Sequence, residues 1–153
     1  MYSRQEASQL RQAFWTSFGQ YMMPVSSAEG EKVNWVNYKT GEKAIAFRME
    51  ADNKKASIAI ELSQKDPDIQ QLYFEQFSQL RKMLEESTGE EWTWSLLGQD
   101  EFGRPLSRIY RELPGVSIFR KEDWPEMISF FKPRIIALDA FWTSAKYSFE
   151  MLR

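Results

Sequence analysis

The 153-residue chain contains no histidine and no cysteine. Without histidine it lacks the one side chain that unaided changes charge near neutral pH, the usual general base. Without cysteine it has no thiolate nucleophile and no disulfide. Together the two absences remove the zinc, haem and iron–sulfur ligand sets built on those residues. Chemistry is left to Asp, Glu, Lys, Arg, Tyr and Ser. No serine stands in a Gly-x-Ser-x-Gly elbow. The segment Gly98-Gln99-Asp100-Glu101-Phe102-Gly103 lacks both the strand-to-helix setting and the lysine of a phosphate loop. No apolar run reaches the ~18–20 residues of a membrane span, and the polar N-terminus with its Glu6 is unlike a secretory signal. The expectation is a soluble cytoplasmic protein with no cofactor, no metal and no membrane partner.

Aromatic side chains are plentiful: 11 Phe, 6 Trp and 6 Tyr, with 7 Met besides. That is ample material for one core, and the length fits one domain over residues 1–153. A net charge of -2 argues against a dedicated electrostatic binder of nucleic acid, which carries a strong basic excess. Locally the balance tips the other way. Between Arg104 and Arg134 seven bases face four acids. If this segment forms a binding face, Arg108, Arg111 and Arg120 are its candidate contacts; the alternative is ordinary solvated charge.

Periodicity divides the chain. Leu10, Phe14, Phe18 and Tyr21 make one helical stripe over 3–22, with Ser3 and Glu6 spaced as a capping box. Three strand-like segments follow: Val33–Tyr38, Lys43–Ala51 and Lys54–Leu62. If Asp52-Asn53 is a two-residue turn, Phe47 faces Ile58, Glu50 faces Lys55 and Arg48 faces Ser57. The second face is then lined by Ala44, Ala46 and Ala59, small enough for a helix or Trp35 to approach. Asp66-Pro67 opens a second helix along Ile69, Tyr73, Phe77, Leu80 and Leu84, and Gly89 closes it. Strand patterns follow at Glu91–Leu97, Leu106–Leu113 and Val116–Phe119. A last helix begins near Asp123, where Pro133 should break or kink it before Ile135, Leu138, Trp142, Ala145 and Phe149. The fold class expected is α+β: an antiparallel or mixed sheet of five to six strands with helices packed on it, in the order α-βββ-α-βββ-α.

The carboxylates Glu50, Asp52 and Glu61 are the candidate catalytic set. An opening α-βββ-α is the order of the PD-(D/E)XK nuclease core, which needs an acid on its second strand and acid-x-Lys on its third. Mg²⁺ needs only one or two carboxylates plus substrate phosphate. The third segment reads Ile60-Glu61-Leu62-Ser63, so the lysine is missing. The other reading of these acids is charge on a hairpin flank. Trp92, Trp94 and Tyr110 are candidates for a base-stacking platform, or for one buried face of a sheet.

Several strings carry a family resemblance: Phe14-Trp15-Thr16-Ser17-Phe18-Gly19-Gln20-Tyr21-Met22, Lys32-Val33-Asn34-Trp35-Val36-Asn37-Tyr38-Lys39-Thr40-Gly41, Asp52-Asn53-Lys54-Lys55-Ala56, Glu90-Glu91-Trp92-Thr93-Trp94 and Phe130-Phe131-Lys132-Pro133-Arg134. Over nearly its whole length the chain resembles a stand-alone copy of bacterial domain-of-unknown-function family 4268. In longer relatives a similar domain follows a nuclease-like region, so the resemblance implies a link to DNA processing or defence. It brings no established activity and no catalytic residues. The function expected is a non-catalytic binding or accessory module with a protein or nucleic-acid partner. The alternative is a divergent metal-dependent nuclease using Glu50, Asp52 and Glu61 with Mg²⁺.

Overall fold

A computed structural model describes residues 2–153. α1 (Arg4–Met22) starts on the capping box its sequence announces: the Glu6 N–H donates to Ser3 Oγ at 3.1 Å and the Ser3 N–H to Glu6 Oε1 at 3.3 Å. Phe14, Phe18 and Met22 form its buried stripe, and Tyr21 lies outside it, half exposed.

The sheet has four strands, not five or six. They are β1 (Ile45–Ala51), β2 (Lys55–Leu62), β3 (Thr93–Gln99) and β4 (Pro105–Pro114), all antiparallel in the order β1-β2-β4-β3. Two expected strands are absent for local reasons. In Val33–Tyr38 the Asn34 side chain accepts the Asn37 N–H at 3.1 Å, folding the segment into a turn that competes with any ladder. Trp35 enters the core, donating its indole N–H to the Val25 carbonyl, and does not lie over Ala46. In Val116–Phe119 the apolar Val116 and Ile118 are buried, but so is Ser117 between them, so burial does not alternate as in a strand with one open face. Its backbone is spent elsewhere: the Ile118 N–H donates to the Asp52 carbonyl and the Ser117 N–H to Asp123. The opening is therefore α-ββ-α, which removes the topological likeness to the nuclease core.

The β1–β2 register also differs from the two-residue turn. The last pair is Ala51 with Ala56, Phe47 lies opposite Ile60, Arg48 opposite Ala59 and Glu50 opposite Ser57. The cause is Asp52, whose Oδ1 accepts both the Lys54 and Lys55 N–H groups at 2.8 and 2.9 Å and widens the turn. The shift is by two residues, so each side chain keeps its face. Partial burial works against ionisation of Asp52, but the two amides and the charges of Lys55 and Lys54 outweigh it and hold the carboxyl below its ordinary 3.8. Asp52 thus supports the hairpin at neutral pH and loses that support as acid protonates it. Asp52→Ala is expected to cost about 1 kcal/mol in urea titrations at pH 7. An unchanged midpoint would remove the turn from the list of stabilising features.

Asp66 caps α2 (Pro67–Gln79) through the Asp68 N–H, with Pro67 as its first residue. The expected single helix breaks at Leu80 (φ -97°, ψ 9°), and α3 (Arg81–Thr88) runs on to Gly89, left-handed at φ 73°. α4 (Trp124–Ala145) follows one short 3₁₀ turn and precedes another, Lys146–Leu152. It runs unbroken through Pro133. Pro133 and Ser129, whose carbonyl the proline leaves without a donor, both lie on the exposed side where water can serve.

The even residues of β2 (Ala56, Ile58, Ile60, Leu62) join Phe47, Phe77, Phe131, Leu138, Trp142 and Phe149 in one contiguous core beneath the helices. Fully buried Ala59 points the other way and is no part of that cluster. All the sheet–helix packing is on one face, and the other carries the polar side chains described next.

Candidate functional site

The pleat and the register arrange the open face in rows. Ala46, Glu61, Arg108 and Ser95 form one row across the four strands; Arg48, Ala59, Tyr110 and Thr93 form the next; Glu50, Ser57 and Glu112 form the third. Small residues floor the centre, so the long side chains around them meet. Glu61 is the hub. Arg48 Nε lies 3.0 Å from one of its oxygens and Arg108 Nε 3.3 Å from the other, and the Glu61 side chain is only 12% exposed. The Arg108 guanidinium sits 4.7 Å over the Tyr110 ring. Lys55 pairs with Glu112 at 2.6 Å and not with Glu50.

The three candidate acids do not converge. Glu61 is held between two arginines, Asp52 is occupied by turn amides, and Glu50 is exposed opposite Ser57. Glu50 lies four residues along β1 from the row of Glu61, about 13 Å at the usual strand rise. Among the described residues no group of three or more acids is placed to hold a metal ion.

The three candidate arginines separate likewise. Arg108 is on the open face. Arg111, one step of odd parity along, turns to the helical face, where it lies 3.1 Å from Glu90 and donates to the Glu91 carbonyl. Arg120 sits in the loop before α4, paired with Asp123 at 2.8 Å. The other two arginines of that basic segment are committed too, Arg104 to Asp100 at 3.0 Å and Arg134 to Glu90 at 2.9 Å, while Lys121 and Lys132 lie over the rings of Trp124 and Tyr21. Nor is there a stacking platform. Trp92 is buried with its N–H on Thr88, Trp94 packs edge-on against Phe74, and Tyr110 is on the opposite face. The other reading, one buried face for all three, holds only in part: Trp92 is buried and Trp94 partly buried against the core, while Tyr110 lies on the open face.

Two buried polar groups escaped the sequence reading. Gln70, wholly buried, donates to the Gln64 and Pro105 carbonyls and accepts from Ser107 Oγ, which in turn accepts the Leu97 N–H. This chain of bonds holds β3 at its irregularity, where Leu97 adopts φ 51°, an uncommon value for a side chain of that size. Asp139, 4% exposed on α4, accepts from the Ala28 N–H at 2.7 Å and the Tyr38 hydroxyl at 2.5 Å. Its signal was available: it is the only acid in the apolar run Ile135–Trp142. Both networks are satisfied and structural. A surface depression of about 580 Å³ lies where α2 meets α3, but its lining (Ser78, Gln79, Arg81, Lys82, Glu85 and Glu86) is polar and mixed in sign, and none of it belongs to the sheet.

No helix among the described residues is long and apolar enough to cross a membrane. No curated protein and no solved structure matches the chain. Residues 10–146 match the family described as Domain of unknown function (DUF4268), and the chain belongs to that family.

Proposed function

We propose that the chain is a non-catalytic binding or accessory module whose partner is a protein rather than a nucleic acid. The observation that carries this reading is the commitment of its charges. Every arginine between Arg104 and Arg134 has a carboxylate within 3.3 Å, so the local basic excess presents no free row of guanidinium groups to a phosphate backbone. On the open face Arg48, Arg108 and Lys55 are balanced by Glu50, Glu61 and Glu112, a neutral mosaic around a floor of small residues. Such a surface matches another protein surface better than a polyanion. The setting implied by the family resemblance, DNA processing or defence, makes the partner a component of such a system.

The test is direct. Purified protein incubated with plasmid and single-stranded DNA in Mg²⁺ or Mn²⁺ is expected to leave both intact, and to show no binding that weakens steeply between about 50 and 200 mM salt. Metal-dependent cleavage lost on Glu61→Ala would establish the nuclease reading instead. Salt-sensitive binding lost on Arg108→Ala would replace the protein partner with a nucleic acid.

A further inference from the structure

The two edges of the sheet differ. β3 is irregular between Ser95 and Gly98, with Leu97 at φ 51°, a bulge of the kind that spoils an edge for further pairing. β1 is regular throughout. The closing bonds Asp52 N–H to the Lys55 carbonyl and Ser63 N–H to the Ala44 carbonyl fix the phase of its ladder: even residues bond β2, and Ile45, Phe47, Met49 and Ala51 aim their N–H and C=O outward. Ile45 is covered by its own chain, its N–H on the Glu42 carbonyl and its carbonyl receiving Thr40 Oγ1 at 2.7 Å. The outward groups of Phe47, Met49 and Ala51 have no partner among the described residues.

We propose that this edge pairs with the same edge of a second copy of the chain, antiparallel about a two-fold axis at Met49. The sequence across the axis is self-complementary. Met49 lies opposite itself, Phe47 opposite Ala51, and Arg48 opposite the partner's Glu50, twice over. The open backbone groups of Phe47, Met49 and Ala51 are then all satisfied. Arg48 and Glu50 fall at the non-hydrogen-bonded positions, where facing side chains are closest.

Charge selects this register over its neighbours. Moving the axis to Arg48 or to Glu50 sets that residue against its own charge; the Glu50 axis also brings Arg48 opposite the partner's Asp52, whose carboxylate already accepts the Lys54 and Lys55 amides. Moving it to Ala51 sets Glu50 against Asp52 and Arg48 against Lys54. Moving it to Phe47 runs Met49 into Ile45, whose backbone is already occupied. Only the Met49 axis pairs opposite charges along the seam without also setting like charges together. The side chains are free to comply: Glu50 is exposed and outside every ion pair among the described residues, while Arg48, its side chain 54% exposed, shares Glu61 with Arg108. One short seam gives a small interface, so the dimer is weak and concentration-dependent. The inference stands apart from the proposed binding role.

Sedimentation velocity from about 1 to 300 µM is expected to show a reversible monomer–dimer equilibrium. Glu50→Lys and Arg48→Glu each reverse two pairs and are expected to weaken it by about tenfold or more. An equimolar mixture of the two variants is expected to regain the dimer, because one then offers only acid and the other only base. That recovery also shows both variants folded. Independently of any variant, hydrogen exchange of the wild-type chain is expected to protect Arg48 and Glu50 amides at every concentration, and those of Phe47, Met49 and Ala51 only as concentration rises. A monomer throughout, a dimer indifferent to both reversals, or a mixture that does not recover would each overturn the proposal; the charges of β1 would then serve to keep the edge solitary.

Discussion

Trp142→Ala is expected to lower the unfolding free energy by about 4 kcal/mol. The indole is 2% exposed. It stacks on Phe77 at 6.2 Å, meets Phe149 at 5.4 Å and stands edge-on to Phe47 at 6.1 Å, so it joins α4 to α2, to the C-terminal turn and to the sheet at once. Truncation loses the transfer energy of a large ring and leaves a cavity whose walls come from separate elements and cannot all close in. The indole N–H also donates to the Thr40 carbonyl at 2.7 Å, and that carbonyl would be stranded. Chemical denaturation separates the two contributions. Trp142→Phe keeps most of the ring and is expected to cost only about 1–2 kcal/mol beyond any packing loss. A change under about 2 kcal/mol for Trp142→Ala would mean the aromatic cluster repacks freely, against the rigidity expected of a close-packed core. With a whole-domain stability of about 5–15 kcal/mol, the expected loss is large enough to reduce the folded yield.

The elements legible in the sequence are those whose signal is local. The Ser3–Glu6 box, the Asp66-Pro67 start and Gly89 each act within one helical turn, and each stands where its side-chain chemistry puts it. The stripe Ile135, Leu138, Trp142, Ala145 and Phe149 is buried throughout. Failures came where burial and backbone pairing part company. Val116 and Ile118 are apolar because they are buried, together with Ser117 between them, and burial says nothing about where the N–H groups go. Trp35 and Val36 have strand propensity, and one asparagine overrules it. The break at Leu80 carries no glycine or proline, so nothing in the sequence marks it. Pro133 marks a break or a kink; the break does not occur, because tertiary packing of Phe130, Phe131, Ile135 and Leu138 carries the helix past it.

The open face was half legible for a related reason. Alternation alone put Glu61, Arg48 and Arg108 on strands, and because the register error was even, it did not change their faces. What it changed was the neighbours: Glu50 lost Lys55, and Glu61 became the hub of two arginines from different strands. A candidate acid for metal chemistry thus became a structural counter-ion once the turn at Asp52 was known.

The opposite balance holds at Asp139, where loss of one buried carboxylate is expected to free a long segment. Residues 23–44 contain no helix or strand, and α4 holds them through Asp139, Trp142 and, just past its end, Lys146, which pairs with Glu29 at 3.2 Å. Asp139→Ala is expected to cost about 3 kcal/mol, from two hydrogen bonds to a charged acceptor. Tyr38→Phe is expected to cost about 1–2 kcal/mol, and the two losses should fall short of additive because they share a bond. Alkali provides a separate measure. Burial, then the hydrogen bond and negative charge of Asp139, hold the Tyr38 hydroxyl well above its ordinary 10.0. The folded chain keeps this proton while the unfolded chain releases it, so the contribution is complete below pH 10 and is lost as pH rises above it. The wild-type denaturation midpoint should therefore fall more steeply than that of Tyr38→Phe between about pH 9 and 11. Parallel profiles, or additive losses in the double variant, would show that Asp139 holds this segment without Tyr38.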